Sequence, residues 1–203
     1  MQLIQIIDVY SRYIVKFDYI RAFFISQAIY VLNVTPSVKI MVTSKQKGKG
    51  KMELKTKEKD LLTDMKEQEE LCIKKYGKYA EEAKCPELKQ LFESMAKTEG
   101  SHLSTINDIL AGNEPSDPGA LSANNQHCVS CQSVYSSAEN KEHDAFLCRD
   151  MLSMEKHVST VYNTGVFEFS SPKVRRMLGH IQQEEQQHGE QLYAFMSCNG
   201  MYN

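Results

Sequence analysis

The sequence predicts an all-α protein, a four-helix bundle made of two helical hairpins that are joined by a long crossover loop. From about residue 57 onward, apolar residues recur at intervals of three and four, which is the period of an amphipathic helix. Glycine and proline are sparse, at 10 and 5 of 203 residues, which favours helix. The spelling Glu-x-x-His occurs at 99–102 and returns 86 residues later at 185–188, so the chain contains a weak tandem repeat. Two similar halves, each with two helices, fit a bundle with one crossover.

Composition and charge exclude several classes of protein. The formal net charge is −2, so no basic field favours a nucleic acid or an anionic membrane as partner. Six cysteines in 203 residues are too few and too scattered for a disulfide scaffold. The N-terminus lacks the pattern of a secretory signal peptide, so we do not expect secretion by that route.

Residues 1–51 differ from the rest of the chain and form an unmatched N-terminal extension. They are rich in Ile, Val, Phe and Tyr without a lasting helical period, and the uncharged run 22–38 is shorter than a membrane span and contains a proline. Lysine and glycine alternate over 47–51, as in a ribosome-binding site read through as protein. We therefore interpret Met52 as the natural start and 52–203 as the bundle. A native N-terminal peptide that begins before Met52 would contradict this interpretation.

The first hairpin is predicted at 57–111. Pro86 suits the first turn of its second helix, and Gly112 is a natural stop just beyond that helix. The two predicted inner stripes are Leu62, Met65, Glu69, Cys72, Tyr76 and Ala80, then Leu88, Leu91, Met95, Glu99, His102, Ile106 and Leu110.

The second hairpin is predicted at 142–198, after a linker at 112–141 that is rich in Pro, Gly, Ser and Asn. Ser171 and Pro172 are expected to cap and open its second helix, and Asn199-Gly200 to end it. The two inner stripes are Cys148, Met151, Glu155, Val158 and Tyr162, then Val174, Met177, Ile181, Glu185, His188, Leu192 and Phe195.

Six polar residues lie on these apolar stripes, where a charged group is costly unless something pairs with it. Each Glu-x-x-His places its two side chains on one helical face. Glu69 lies 17 residues before Pro86 and Glu99 lies 13 after it, so the two differ by about one helical turn in height across the hairpin. The second hairpin repeats these spacings. The six residues are Glu69, Glu99, His102, Glu155, Glu185 and His188.

Four inward carboxylates and two imidazoles at one level predict a dinuclear metal site, as in bundles of the ferritin-like kind. Oxygen and nitrogen ligands without thiolate suit two ions of iron or manganese, and zinc could occupy such a site in vitro. We expect Glu99 and Glu185 to bridge both ions, and one ion each to be completed by the pairs Glu69 with His102 and Glu155 with His188.

The alternative interpretation is that these are solvated residues, on helices whose apolar stripe shifts around the helix along its length. Glu67, Glu70 and Glu184 are interpreted in that way. Glu184 lies four residues before His188 and competes locally with Glu185, but the repeat offset favours Glu185.

Two tyrosines follow the outer carboxylates at the same interval. Tyr76 and Tyr162 lie seven residues after Glu69 and Glu155, respectively. The first interpretation is that both tyrosines pack in the core. The alternative is a catalytic role, in which a phenol beside the metals donates a hydrogen bond or takes part in electron transfer.

The cysteines are interpreted mainly as small apolar residues, namely Cys72, Cys85 and Cys148. Cys128-x-x-Cys131 in the linker is half a metal knuckle or a candidate disulfide. Since no second Cys-x-x-Cys exists, a complete Cys₄ iron or zinc domain within one chain is excluded. An inert pair or an intermolecular cross-link remains.

Several motifs resemble known families. The first hairpin, with Glu69, Tyr76-x-x-Tyr79-Ala80, Leu91-Phe92 and Glu99-x-x-His102, resembles rubrerythrin and related ferritin-like proteins. The second hairpin resembles the spore coat protein F family of endospore-forming bacteria, over the stretches 146–150, 155–158, 161–163, 182–190, 193–196 and 199–202.

The resemblance extends from Met52 to Asn203 and implies a ferritin-like bundle in the spore coat or the cytoplasm of a spore-forming bacterium. Other coat proteins or a second copy of the chain are the implied partners. Two functions remain open: a metal-bound coat protein, or a di-iron oxidoreductase that consumes peroxide or oxygen or oxidises Fe(II). The rubredoxin-like module of rubrerythrin is missing, so the second function needs an external electron donor.

Overall fold

A computed structural model describes residues 51–121 and 135–202. The described residues form four α-helices and contain no strand, which confirms the prediction of an all-helical fold with four helices. Predictions for residues 1–50 and for Cys128-x-x-Cys131 lie outside the described residues. The helices are α1 Thr56–Glu82, α2 Pro86–Leu110, α3 Ala138–Glu168 and α4 Pro172–Cys198.

The helix ends follow the local chemistry of the chain. As predicted, Ser171 caps α4, its side chain accepting a hydrogen bond from Val174 N at 3.4 Å. Gly112 and Gly200 follow α2 and α4 with φ of 83° and 60°, a conformation that suits glycine. Helix α3 begins at Ala138 rather than near residue 142, because Ser137 supplies an N-cap that accepts from Asn140 N at 3.1 Å.

The helices pack as two antiparallel hairpins, α1 with α2 and α3 with α4, and the hairpins contact each other mainly through α1 and α3. The start of α1 lies beside the α3–α4 turn, since Ser170 N donates to Glu58 Oε1 at 2.7 Å. The start of α3 lies beside the α1–α2 turn, since Cys85 N donates to Asp144 Oδ2 at 2.9 Å. Helices α1 and α3 are therefore antiparallel, and α2 ends at the opposite end of the bundle from the start of α3.

These two contacts are related by the repeat. Glu58 and Asp144 are 86 residues apart, and so are Lys84 and Ser170. Glu58 accepts from the backbone and the hydroxyl of Ser170, while Asp144 accepts from the backbone of Lys84 and Cys85. Each hairpin thus binds the turn of the other through a buried carboxylate, a pair of contacts that no local spacing in the sequence indicates.

The core lies along the predicted stripes. Every residue predicted on the α1 and α3 stripes is buried. On α2 and α4 the burial shifts by one position at three adjacent apolar pairs, because period alone cannot decide between neighbours that are both apolar. The buried member is Phe92 rather than Leu91, Ile109 rather than Leu110, and Leu178 rather than Met177.

The described cysteines are of two kinds. Cys72 and Cys148 are free and buried, as expected of small apolar residues. Cys85 and Cys198 each take part in a disulfide bond, which corrects the interpretation of Cys85 as an ordinary apolar residue. Over the described ranges, none of the helices is long and apolar enough to cross a membrane.

Candidate metal centre

The structure brings all six predicted residues together in the middle of the bundle. Each of the four helices contributes a carboxylate, and α2 and α4 add an imidazole one turn after theirs. None of the six is more than 4% exposed. They are Glu69 on α1, Glu99 and His102 on α2, Glu155 on α3, and Glu185 and His188 on α4.

The six residues form two overlapping groups of four. In each group, one candidate ligand atom per residue lies within 4.8 Å of the others. Glu99 and Glu185 belong to both groups, which is the arrangement expected of two bridging carboxylates. The first group adds Glu69 and His102, and the second adds Glu155 and His188.

Both imidazoles direct Nδ1 towards the shared carboxylates. His102 Nδ1 lies 3.0 Å from Glu99 Oε2 and 3.0 Å from Glu185 Oε1. His188 Nδ1 lies 2.9 Å from Glu99 Oε1 and 3.4 Å from Glu185 Oε2. The two rings stack with centroids 6.1 Å apart and planes inclined by 29°.

Several buried atoms of this cluster make no well-oriented hydrogen bond, although His188 Nδ1 lies close to Glu99 Oε1 and His102 Nδ1 lies close to Glu185 Oε1. A buried acceptor without a donor costs about 1–3 kcal/mol, and here such acceptors face one another. A cation between them would satisfy all of them, so the donor set fits a metal. The atoms are Glu69 Oε2, Glu99 Oε1, Glu155 Oε2, both carboxylate oxygens of Glu185, and His188 Nδ1.

Without metal, the cluster divides into protonated and ionised groups. Burial raises the pKa of Glu69 and of Glu155 to about 8. Burial acts in the same direction on Glu99 and Glu185, but the two nearby histidines outweigh it and lower the pKa of both carboxyl groups. Burial likewise opposes the charged form of His102 and His188, but the surrounding carboxylates outweigh it and raise the pKa of both imidazoles well above the usual value. Protons therefore supply the positive charge that a metal would bring.

The two tyrosines hold the outer carboxylates crosswise. Tyr76 on α1 donates its hydroxyl hydrogen to Glu155 on α3, and Tyr162 on α3 donates to Glu69 on α1. Burial, reinforced by the nearby carboxylates, raises the pKa of both phenols well above the usual value, so they stay protonated donors. Both rings are buried as core packing requires, and each hydroxyl bonds a carboxylate of the cluster; a catalytic role for the two tyrosines stays a prediction.

Glu184 is not the freely solvated residue that the sequence predicted. Its side chain is only 22% exposed, and its Oε2 lies 3.0 Å from His102 Nε2. The contact joins residues 82 positions apart on α4 and α2, and no local spacing indicates it. By contrast, Glu67 is exposed as predicted, and Glu70 is half-buried with an ion pair to Lys66 at 3.8 Å.

A cavity of about 510 Å³ between α3 and α4 reaches the cluster from one side. Glu155 and Glu185 form part of its wall, together with Leu152, Ser159 and Gly189. Tyr193 and Tyr202 also line it, with their rings edge to face at a centroid distance of 5.0 Å. A small molecule in this cavity would therefore lie beside two of the candidate ligands.

Comparison with protein families gives a match to the Coat F domain over residues 143–203. The matched segment covers most of α3 and all of α4, and it includes Glu155, Glu185 and His188. Comparisons with curated proteins and with solved structures gave no match. The resemblance of the first hairpin to rubrerythrin stays a prediction. The chain is therefore similar to the Coat F domain, the domain of the spore coat protein F family, over its second hairpin.

Proposed function

We propose that the chain is a spore-coat-associated protein whose ferritin-like bundle, with α2 and α3 joined by a crossover, holds two ions of iron or manganese. The functional unit in this proposal is 52–203, with 1–51 as an extension. The coat association is supported by the Coat F match over 143–203. The metal centre is supported by one observation above all: two buried four-residue groups share Glu99 and Glu185.

Charge and donor chemistry favour two divalent ions. Four ionised carboxylates carry a charge of −4, which two divalent cations neutralise, whereas one cation would leave a buried excess of negative charge. The candidate ligand atoms are carboxylate oxygens and imidazole nitrogens, which iron and manganese accept. We expect Glu69 with His102 to complete one position and Glu155 with His188 the other.

Metal content tests the proposal directly. Protein expressed in iron- or manganese-supplemented medium should carry about two metal ions per chain, measured by elemental analysis after gel filtration. Because each is expected to bridge both positions, Glu99→Ala or Glu185→Ala should abolish binding at both. Loss of an outer ligand in Glu69→Ala or Glu155→Ala should affect mainly one position.

The matched control is Glu67→Ala, which removes an exposed carboxylate from the same helix as Glu69. This variant should keep its metal content and its melting temperature. A wild-type protein that binds neither iron nor manganese, or a Glu67→Ala variant that loses metal as Glu99→Ala does, would refute the proposed centre.

A second function, a di-iron oxidoreductase that acts on peroxide or dioxygen or oxidises Fe(II), is favoured by the cavity beside Glu155 and Glu185. A bound iron pair would supply the redox chemistry. The residues of the chain would admit the small oxidant through the cavity, keep bulk water from the buried carboxylates, and hold Glu155 and Glu69 through the phenols of Tyr76 and Tyr162. An external donor would return the electrons.

This second function is tested by the rate at which iron-loaded protein consumes hydrogen peroxide with an added one-electron reductant. Wild type should exceed the Glu99→Ala variant, which has lost the bridging ligand. If iron-loaded wild type retains two ions and consumes peroxide no faster than Glu99→Ala, the protein is a metal-bound coat component without this activity.

A further inference from the structure

We infer that the two metal positions are unequal, and that Glu184 makes the position completed by His102 the tighter of the two. This inference rests on the proposed metal centre. It adds a positioning residue outside the six ligands and predicts the order in which the positions fill.

The geometry of His102 carries the inference. Its Nδ1 faces Glu99 and Glu185, while its Nε2 lies 3.0 Å from Glu184 Oε2. When Nδ1 binds a metal, Nε2 carries the ring proton and donates it in a hydrogen bond to that carboxylate. Such a bond fixes the tautomer and the ring orientation, and it makes the metal-bound nitrogen a stronger donor.

The other half of the repeat lacks this support. The position equivalent to Glu184, 86 residues earlier, is Thr98, whose hydroxyl donates to Ser94 O in its own helix at 3.5 Å. Among the described residues, His188 has contacts to carboxylates through Nδ1 and an edge-to-face contact with Tyr76 at 6.4 Å, but no hydrogen bond at Nε2. The repeat is therefore symmetric in its ligands and asymmetric in what supports them.

The environment of Glu184 is consistent with a supporting carboxylate. It lies near the surface, 22% exposed, where an ionised group retains part of its hydration. His180 Nε2 approaches the same Oε2 at 3.6 Å from one turn earlier on α4. Neither contact supplies a metal ligand, because Glu184 faces His102 from the side away from Nδ1.

The test is an anaerobic titration of metal-free protein with Fe(II), and separately with Co(II), by calorimetry with the Co(II) visible spectrum as a second readout. Because outer-shell partners typically change metal affinity 10–100-fold, wild type should bind in two steps separated by about that factor. Glu184→Gln, which keeps the shape but removes the charge, should weaken the first step by about 10-fold or more. Glu67→Gln, an exposed change on another helix, should alter neither step.

Two further variants assign the effect to a position. Glu155→Ala leaves the position of His102 and should bind one metal tightly, with an affinity that falls when Glu184→Gln is added. Glu69→Ala leaves the position of His188 and should bind one metal weakly, with no further loss on adding Glu184→Gln. Circular dichroism on each variant establishes that the bundle is folded.

Two results would overturn the inference and leave the metal centre in place: equal affinities at the two positions in wild type, or an equal effect of Glu184→Gln on both single-position variants. Absence of binding in wild type would overturn the proposed centre and the inference together.

Discussion

The hydroxyl groups of Tyr76 and Tyr162 determine how the outer carboxylates of the cluster are oriented. Each phenol crosses from one hairpin to a carboxylate of the other, so a ligand on α1 is held by α3 and the reverse. Loss of a residue that orients a metal ligand typically costs about 10–100-fold in metal affinity. The two tyrosines therefore belong to the proposed centre as well as to the core.

Replacing either tyrosine by phenylalanine keeps the ring and removes the donor. We expect Tyr76→Phe to weaken metal binding about 10-fold at the position of Glu155, and Tyr162→Phe to do so at the position of Glu69. Metal titration by calorimetry measures both. Tyr79→Phe is the control, because the Tyr79 hydroxyl donates to Asp150 at 2.7 Å, outside the cluster. Equal losses in all three variants would mean that the phenols act only on general stability.

The six candidate ligands were predictable because the repeat marks them twice. A lone Glu-x-x-His indicates little, but two copies at one offset, each with an upstream glutamate on the same stripe, restrict the choice to one residue per position. Glu184 was not predictable by this route. It breaks the repeat, and its contact with His102 depends on how α2 and α4 are placed against each other in three dimensions.

At the scale of elements, two carboxylates hold the hairpins together, because each of them binds the turn of the other hairpin. Glu58 and Asp144 are buried, and each accepts hydrogen bonds from backbone groups in the turn of the opposite hairpin. Those backbone donors, Lys84, Cys85 and Ser170, lie in the turns just before α2 and α4, where no helical hydrogen bond is available to them. The contacts therefore supply hydrogen-bond acceptors to the N–H groups of the turns. They also hold the two hairpins together at both ends of the bundle.

Removal of either carboxylate should leave backbone N–H groups in the turn of the other hairpin without their hydrogen-bond acceptor. We expect Glu58→Ala and Asp144→Ala each to lower the free energy of unfolding by about 1–3 kcal/mol, because buried N–H groups lose their acceptors. Urea denaturation of metal-free protein measures the change. Asp60→Ala, an exposed carboxylate in the same turn of α1 as Glu58, should change it by less than about 0.5 kcal/mol. A loss in Asp60→Ala as large as in Glu58→Ala would contradict this account.

Helix positions followed from the sequence, while the contacts between each carboxylate and the turn of the other hairpin did not. The period of apolar residues located four helices, and Ser171-Pro172 located the start of α4. The early start of α3 was missed because Ser137 lies within a polar stretch where several residues could serve as the cap. The carboxylate pair was missed because Glu58 and Asp144 lie near helix starts, where acidic residues are common for reasons of the helix dipole alone.

For the whole molecule, the bundle encloses a polar layer inside an otherwise apolar core. Four carboxylates and two imidazoles lie at its centre, with apolar residues such as Leu62 and Phe92 fully buried elsewhere in the core. Burial of such a layer costs free energy unless its charges are balanced. Its protonation state therefore links the stability of the fold to pH and to metal.

The final prediction concerns metal-free protein between pH 5.5 and pH 8. Glu69 and Glu155 have folded pKa values of about 8 against an ordinary value of 4.5, so the folded state binds more protons than the unfolded state in this range. Their contribution is complete below about pH 4.5 and is lost as the pH rises towards 8. His102 and His188, whose pKa values are also raised, add a loss in the same direction above their ordinary value of 6.5.

Glu99 and Glu185 have lowered pKa values, and their contribution is lost only as the pH falls below about 4.5, outside the chosen range. The melting temperature of metal-free protein should therefore fall from pH 5.5 to pH 8. Mn(II) should raise it more at pH 8, where fewer protons compete for the ligands. The double variant Glu69→Gln with Glu155→Gln removes the two carboxylates that titrate, so its metal-free melting temperature should depend less on pH. A melting temperature of metal-free wild type that rises over this range, or a manganese effect that is larger at pH 5.5, would show that these carboxylates are not buried together as described.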